Sequence, residues 1–494
     1  MYYAYTKYTP ALLGLKEQKR GNGNYPLLTT VETRSLKMGS QWLLVSETGR
    51  WCVLEENEYR LFKVLENSKN IDCQTPPPEL SAPQWFDFLD HLTMCGLIQP
   101  RQSNQDLVLP IKTFPNKFSL TLILSETCNL ACKYCYLTME PKREAGRLDF
   151  KTAQNAILAS FEQCSEEILI DYGEIAVDYD AFQQLIRFTS SISKLYPSKK
   201  THLAIQTNGT TLKSSVLDFL EAYNVIVGVS LDGPQAVNDA VRLSPHGIGS
   251  HSRAEAGLKE IIRRGIPHIV LCTVSIANVH KAAEIVDYFL ELGVSHFSFK
   301  PVIQRGSAQE AWQSLGISNQ EFCVFLDNVV EHAIETRNLQ GLDDRLQKFA
   351  FRLLQDSRGW TDGCPTADCG CGTQMVVLNP HGQFYPCPRF TSISENRFSL
   401  GTQLSRAVTI SQRILETSGE GVCPLECHSC VWKPFCRAGC GLSRRDNLLD
   451  PACDIYRSTY SLLIRKIFPN LHLFDRDSRE KFGNIQIIDW RVKT

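Results

Sequence analysis

Six short apolar, β-rich runs alternate with amphipathic helical stretches across residues 117–302, and this rhythm predicts an α/β fold. Strand–helix units in series argue for a parallel sheet, here a partial (β/α)6 TIM-like barrel, because no seventh or eighth unit is evident. Two further observations frame it. Residues 41–98 read as a hairpin, two helices and a strand, a separate winged-helix-like module. Ten of the 19 cysteines fall between Cys364 and Cys453, which marks a cysteine-rich C-terminal domain.

In chain order, Trp42–Ser46 and Trp51–Leu54 flank Gly49 and give the hairpin signal. Glu55–Leu65 and Trp85–Met94 carry helical patterns, and Gly96 before Leu97-Ile98 suggests a return to strand. The Pro-rich Gln74–Pro83 is a loop and Arg101–Asn116 a linker. The barrel strands are Phe118–Leu124, Glu167–Tyr172, His202–Thr207, Val225–Leu231, Ile269–Ser275 and His296–Pro301. Between them lie helices at Phe150–Gln163, Ala181–Leu195, Leu212–Tyr223, Arg253–Arg264 and Lys281–Leu292, two of them closed by Gly265 and Gly293. In parallel barrels chemistry sits at the C-terminal ends of strands, which is where a loop after the first strand belongs.

Bulk composition narrows the function. The hydrophobic share of 43% and charged share of 21% are ordinary for a globular protein. A net charge of -1 argues for no nucleic acid and no membrane partner. No apolar stretch approaches the roughly 18–20 residues that cross a bilayer. The start, Met-Tyr-Tyr-Ala-Tyr-Thr-Lys-Tyr, lacks the apolar core of a secretion signal, so a cytoplasmic protein is expected. A disulfide framework would not survive there. Cys52, Cys73, Cys95, Cys164, Cys272 and Cys323 are scattered and read as buried small hydrophobes.

The chemistry is carried by the run Ser-Glu-Thr-Cys-Asn-Leu-Ala-Cys-Lys-Tyr-Cys-Tyr, which places Cys128, Cys132 and Cys135 at C-x3-C-x2-C spacing directly after the first barrel strand. Three thiolates can hold three irons of a four-iron cluster and leave the fourth without a protein ligand. An open iron can bind and reduce a small molecule. The competing reading is a zinc knuckle, but zinc wants a fourth Cys or His, and the next His is His202. The loop, with Tyr134 before its last cysteine, resembles the cluster loop of radical S-adenosylmethionine (SAM) enzymes.

That resemblance implies further contacts, residue by residue. Gly173 and Glu174, in Asp171-Tyr172-Gly173-Glu174-Ile175, stand where the family has Gly-Gly-Glu-Pro against the SAM amino group; Tyr172 and Ile175 depart from that pattern. Thr207 and Asn208 in Gln-Thr-Asn-Gly are placed at the cluster face. Ser230 and Asp232 would lie near ribose, and Arg242 would meet the SAM carboxylate with paired donors. Lys300 and Pro301 close the pattern.

The pattern Cys371-x10-Gly382-x4-Cys387, then Cys427-x2-Cys430-x5-Cys436-x3-Cys440, then Cys453, resembles the SPASM extension of radical SAM peptide maturases. The resemblance implies two auxiliary four-iron clusters. One would take Cys427, Cys430, Cys436 and Cys453. The other would take Cys371, Cys387 and Cys440, with Cys364 or Cys369 as fourth ligand. A pair of zinc ribbons is the alternative, since C-x2-C is a common zinc spacing. Cys423 has no slot.

The domains expected are a winged-helix-like peptide-recognition module at 1–110, the radical SAM barrel at 117–310, a helical bridge at 311–360, the SPASM domain at 361–455, and a C-terminal helix and tail at 456–494. The module resembles precursor-recognition domains that bind an extended leader against a strand edge. The whole implies a maturase that crosslinks side chains of a ribosomally made precursor peptide, a cyclophane or thioether, supplied with electrons by a reductase, flavodoxin or ferredoxin. The alternatives are a sulfatase-maturating enzyme and a non-catalytic electron carrier or zinc-binding protein. Sulfatase maturases typically carry an Asp after the cysteine that follows the Gly; here Cys387 is followed by Pro388 and Arg389. Tyr172 and Arg389 are the catalytic candidates, both expected to face the cavity.

Overall fold

The computed structural model describes residues 28–47, 49–68, 71, 75–100, 117–136, 146–163, 166–174, 179–339, 342–353, 371–372, 374–391, 399–404, 424–436, 438–440, 443 and 449–470. Cys364, Cys369, Cys423 and the C-terminal tail lie outside them.

The N-terminal module contains β1 (Leu28–Thr30), β2 (Thr33–Met38), β3 (Gln41–Ser46), β4 (Trp51–Glu55), α1 (Glu56–Glu66), α2 (Ala82–Met94) and β5 (Ile98–Pro100). Strands β2, β3 and β4 form an antiparallel meander, and β5 pairs with β1. The expected hairpin, two helices and return strand are all present; β1 and β2 are additions. Both helices open on a capping box, Glu55 with Glu58 and Ser81 with Gln84. Alternation along β3 and β4 splits their side chains between two cores. Leu44, Cys52 and Leu54 join Phe62, Phe88 and Leu92 inside the module. Leu43, Val45, Trp51 and Val53 face the main core instead.

The barrel strands are β6 (Lys117–Leu122), β7 (Glu167–Glu174), β8 (Lys200–Thr207), β9 (Ile226–Ser230), β10 (His268–Val274) and β11 (Phe297–Pro301). The helices among them are α3 (Phe150–Gln163), α4 (Tyr179–Ser193), α5 (Ser214–Ala222), α6 (Gln235–Val241), α7 (His251–Arg263) and α8 (Ala282–Glu291). The strands run parallel in the order β11-β10-β9-β8-β7-β6, as the strand–helix rhythm predicts. Beyond β6 the sheet continues into β12 (Met375–Leu378), parallel to it, and β13 (Phe384–Tyr385), antiparallel to β12. The hairpin of the cysteine-rich region thus extends the barrel sheet, which its position in the chain, far from β6, does not announce. Val376 and Leu378 bury their side chains in the same core as Leu120 and Leu122.

After β11 come two short turns, α9 (Ser307–Glu310) and α10 (Trp312–Leu315), then α11 (Asn319–Glu335) and α12 (Asp344–Leu353). In the C-terminal third, α13 (Leu425–His428), α14 (Lys433–Cys436) and α15 (Cys453–Leu462) are followed by a π-helical turn at Leu463–Ile467. The module is fastened to this end. The Trp51 indole N–H donates to the Leu353 carbonyl at 2.9 Å, and its ring stacks on Phe468 at 6.1 Å. Trp51→Ala should therefore lower stability by about 3–5 kcal/mol in denaturant titration, whereas Trp51→Phe, which keeps the stacking, should lose much less.

Candidate functional site

Register fixes which side chains line the barrel. Parallel neighbours share a face, and Leu203, Ile205, Val227, Val229, Val270 and Cys272 point toward the helices and are buried. The opposite face carries Thr121, Gln206, Gly228, Ser230, Thr273 and Lys300 at matched positions. Leu169, Ile226, Ile269 and Leu271 share that face, so the interior mixes these polar groups with aliphatic ones. Gln206, whose amide donates to Ser230 Oγ at 3.0 Å, was missed by the sequence reading. Its signal was the polar residue in the alternation of His202–Thr207.

The thiol loop follows β6 at the mouth of this interior. Backbone bonds hold it from two sides: Ala131 and Lys133 donate to the carbonyls of Leu243 and Val241, at 2.7 and 2.9 Å, and Ser307 donates to the Cys135 carbonyl at 2.9 Å. Gly306 is at φ +54, and a Cβ there would sit 2.4 Å from that same carbonyl, so only glycine allows the approach. Asn208, at the end of β8, donates to Cys128 Sγ at 3.7 Å and to Asn129 Oδ1 at 2.8 Å. The thiols sit near enough to act on one another electrostatically. Cys132 is pushed up to about 12, with burial as the largest cause; Arg242 opposes the shift, and Cys135, Asp232 and Cys128 add to it. A thiol raised in this way stays protonated when alone and exchanges its proton for metal, which fits a cluster ligand.

One buried carboxylate locks the loop in place. Asp232 accepts both donors of the Arg242 guanidinium, at 3.0 and 3.1 Å, the Tyr134 hydroxyl, and the Thr273 backbone N–H at 2.8 Å. Arg242 also lies over the Tyr134 ring at 5.2 Å. Asp232 is 0% and Arg242 7% exposed. Asp232 and Arg242, expected near the ribose and the carboxylate of SAM, are hydrogen-bonded to each other here, and with Tyr134 they anchor the loop. Thr207 is also buried on the helix side, its hydroxyl accepting from Gly209 N at 3.2 Å in a turn.

Gly173 stands in an irregularity where the β7–β8 register shifts between Asp171 and Glu174. It has φ +58, and a Cβ would fall 2.8 Å from the Leu122 carbonyl, so the strand end passes close to the root of the thiol loop. Glu174 itself is paired in register with Gln206. Tyr172 requires a correction. It is 0% exposed, its hydroxyl bonds Thr189 at 2.6 Å, and its ring meets Phe182 edge-on, both on α4. It points into the helix layer and not into the cavity. Arg389 is half-buried, and its carbonyl accepts from the Arg305 guanidinium.

The C-terminal cysteines gather in two places. Cys427, Cys430, Cys436 and Cys453 line one pocket together with Asp450 and Arg457. Cys436 is pushed up to about 12, chiefly by burial, with Cys430, Cys453 and Cys427 adding to it. Cys440 lies in electrostatic contact with Cys387, and Cys371 Sγ is 3.3 Å from the Pro386 carbonyl next to Cys387. Asp450 organises the first group, and the sequence reading missed it. Its buried carboxylate accepts from Cys440 N at 2.5 Å, Ala452 N at 2.9 Å and the Tyr456 hydroxyl at 2.9 Å. It thereby ties the Cys436–Cys440 turn to the helix that begins at Cys453.

A partial parallel barrel with a three-thiol loop at its mouth defines the radical SAM class, and residues 122–299 match the family model described as the Radical SAM superfamily. The chain carries a radical SAM domain and is a radical SAM enzyme. It is similar to the cysteine-type anaerobic sulfatase-maturating enzyme of Clostridium novyi (strain NT), 22% identical over 71% of this chain and 96% of that one. It is also similar to the antilisterial bacteriocin subtilosin biosynthesis protein AlbA of Bacillus subtilis (strain 168), 26% identical over 66% of this chain and 66% of that one. Among solved structures, native anSMEcpe with bound AdoMet and Kp18Cys peptide superposes with a TM-score of 0.60 at 19% identity, covering 72% of this chain and 99% of that one, a likeness of fold. Among the described residues, no helix is long and apolar enough to cross a membrane.

The anchoring role of Asp232 has a direct test. Arg242→Met leaves a buried carboxylate without its cation and should cost about 3–5 kcal/mol in chemical denaturation. Arg242→Met combined with Asp232→Asn should recover part of that loss.

Proposed function

We propose that the protein modifies a ribosomally made precursor peptide, installing an intrapeptide side-chain crosslink. The observation that carries this reading is the gathering of two further thiol groups beside the barrel, one with four cysteines and one with Cys371, Cys387 and Cys440. Crosslinking two side-chain positions with net loss of two hydrogens is an oxidation, and it must dispose of electrons that a single cluster loop has no second place for. The two thiol groups supply ligands for such acceptors, as two auxiliary four-iron clusters. Cys364 or Cys369 would complete the set of Cys371, Cys387 and Cys440.

Cys128, Cys132 and Cys135 would hold a four-iron cluster which, with SAM, would supply radical abstraction of hydrogen from an unactivated carbon. The chain's own part is binding and exclusion. Ser230 and Gln206, on the interior wall, offer hydrogen bonds to the polar groups of SAM, and Gly173 lets the end of β7 pack against the Leu122 carbonyl at the root of the loop. Asn208 keeps Cys128 oriented. Asp232, Arg242 and Tyr134 hold the loop still, so that the substrate carbon meets the radical and water does not. Arg389, on the turn after Cys387, is the residue that would face the substrate between the barrel and the C-terminal thiols.

The N-terminal module supports a peptide partner. Within its meander β2 is an edge strand, bonded on one side to β3, and an extended leader could pair along its other side. The similarity to AlbA, a protein of subtilosin biosynthesis, favours this reading. The sulfatase-maturating names among the relatives support the second reading, formylglycine formation, against which the Cys387-Pro388-Arg389 sequence stands. Reduced thiols in such number suit the cytoplasm, where a reductase, flavodoxin or ferredoxin would supply electrons.

Cys132→Ala should abolish SAM cleavage to 5′-deoxyadenosine and leave the C-terminal iron in place. Cys436→Ala should lose about four irons per chain and stop product formation, while SAM cleavage continues unproductively. Co-expression with a short peptide encoded beside the gene should yield a mass loss of about 2 Da per crosslink. A sulfatase-type peptide gaining formylglycine, with the neighbouring peptide unchanged, would overturn the crosslinking assignment.

A further inference from the structure

The sequence reading treats Cys52 and Cys95 as small hydrophobes, yet the fold does not scatter them. Cys52 lies on β4, while His91 and Cys95 are four residues apart on α2 and its C-cap, and so project from one helix face. Their two sulfurs and an imidazole nitrogen all lie within 4.8 Å of one another. His91 Nε2 and Cys95 Sγ are 3.8 Å apart. All three residues are at most 1% exposed, packed among Leu54, Phe62, Phe88 and Leu92.

We propose that Cys52, His91 and Cys95 form a metal site for zinc in the core of the N-terminal module, separate from every thiol assigned to iron–sulfur chemistry. Zinc bonds of about 2.3 Å to sulfur and about 2.0–2.1 Å to nitrogen set tetrahedral ligand separations near 3.5–3.8 Å. The observed triangle meets that by closing roughly one ångström at most. Two sulfurs and an imidazole are soft donors, which select zinc over calcium or magnesium. Glu58, buried in the first turn of α1 and in electrostatic contact with Cys52, accepts from the Glu55 backbone N–H at 2.9 Å through one carboxylate oxygen, and its other oxygen would take the fourth position. Two thiolates, a carboxylate and Zn2+ leave one negative charge. Arg50 supplies the counter-charge: it is in electrostatic contact with Cys95, and its side chain runs over Gly96, where a Cβ would meet Arg50 Cδ at 2.3 Å. The ion would join β4 to the end of α2, from which the chain turns directly into β5. It would hold the module's two sheets in fixed relation, a stapling that small cores need.

The test uses the full-length protein, expressed with added zinc and purified anaerobically, with zinc and iron counted by elemental mass spectrometry. Cys52→Ala and Cys95→Ala should each lose about one zinc per chain at unchanged iron. Cobalt-substituted wild-type protein should show thiolate-to-cobalt charge-transfer absorption that both variants lack. Should the variants fail to fold, zinc-edge X-ray absorption of the wild type decides: a mixed shell of two sulfurs with nitrogen and oxygen supports the site. An all-sulfur shell, wild-type zinc no higher than in the variants, or a Cys52–Cys95 disulfide in the alkylated protein would overturn it.

Discussion

A single buried carboxylate holds the working end of this enzyme together. Asp232 stands just beyond β9, yet it binds Tyr134 from the thiol loop, Arg242 from the end of α6 and the backbone of β10. Three segments distant in the chain meet at one ion pair with almost no access to water. A buried pair is costly to assemble and costlier to break, because removing one partner strands the other's charge. That asymmetry suits a loop that must keep three sulfurs in a fixed triangle. The thiols repel one another once ionised, and a loop without such an anchor could spread to relieve it.

The second constraint is continuity between the barrel and the cysteine-rich third. Strand β12 adds to the edge of β6, in register from Met375 to Leu378, so the same strand that leads into the thiol loop also carries the C-terminal hairpin. Cys371 and Cys387 bracket that hairpin. Movement of the second thiol group relative to the first is therefore limited by a hydrogen-bonded ladder. Asp450 extends the rigidity to Cys440 and to the helix bearing Cys453. Electron transfer between groups of ligands rewards fixed separation, and this fold supplies it with backbone and not with flexible side chains.

Much of this was legible in the sequence, for specific reasons. The C-x3-C-x2-C run is local, and its chemistry follows from ligand count. The six barrel strands announce themselves because one face is aliphatic and buried, and the grouping of Cys427, Cys430, Cys436 and Cys453 follows from spacing within a resembled pattern. Other features depend on contacts that no local pattern carries. Strand β2 is mostly polar and none of its residues is buried, so nothing in Thr33–Met38 marks it until β3 pairs with it. The union of β12 with β6 spans more than half the chain. Tyr172 continues the alternation of Ile168 and Ile170 into the helix layer, and it was its place in the resembled motif, not that alternation, that pointed it toward the cavity. Arg242 is expected at the SAM carboxylate from its place in the resembled pattern, and its pairing with Asp232 is visible only in the fold.

The central claim is that Cys128, Cys132 and Cys135 leave one iron of a cluster open for SAM. It is tested most directly by electron paramagnetic resonance of the anaerobically reconstituted, dithionite-reduced protein, using a variant in which Cys371 and Cys436 are replaced so that the loop's signal stands alone. Adding SAM should change the g-values of that signal, and SAM labelled at its methionine amino nitrogen should show hyperfine coupling to it. A spectrum indifferent to SAM, or a loop that takes up zinc and yields no such signal, would contradict the account.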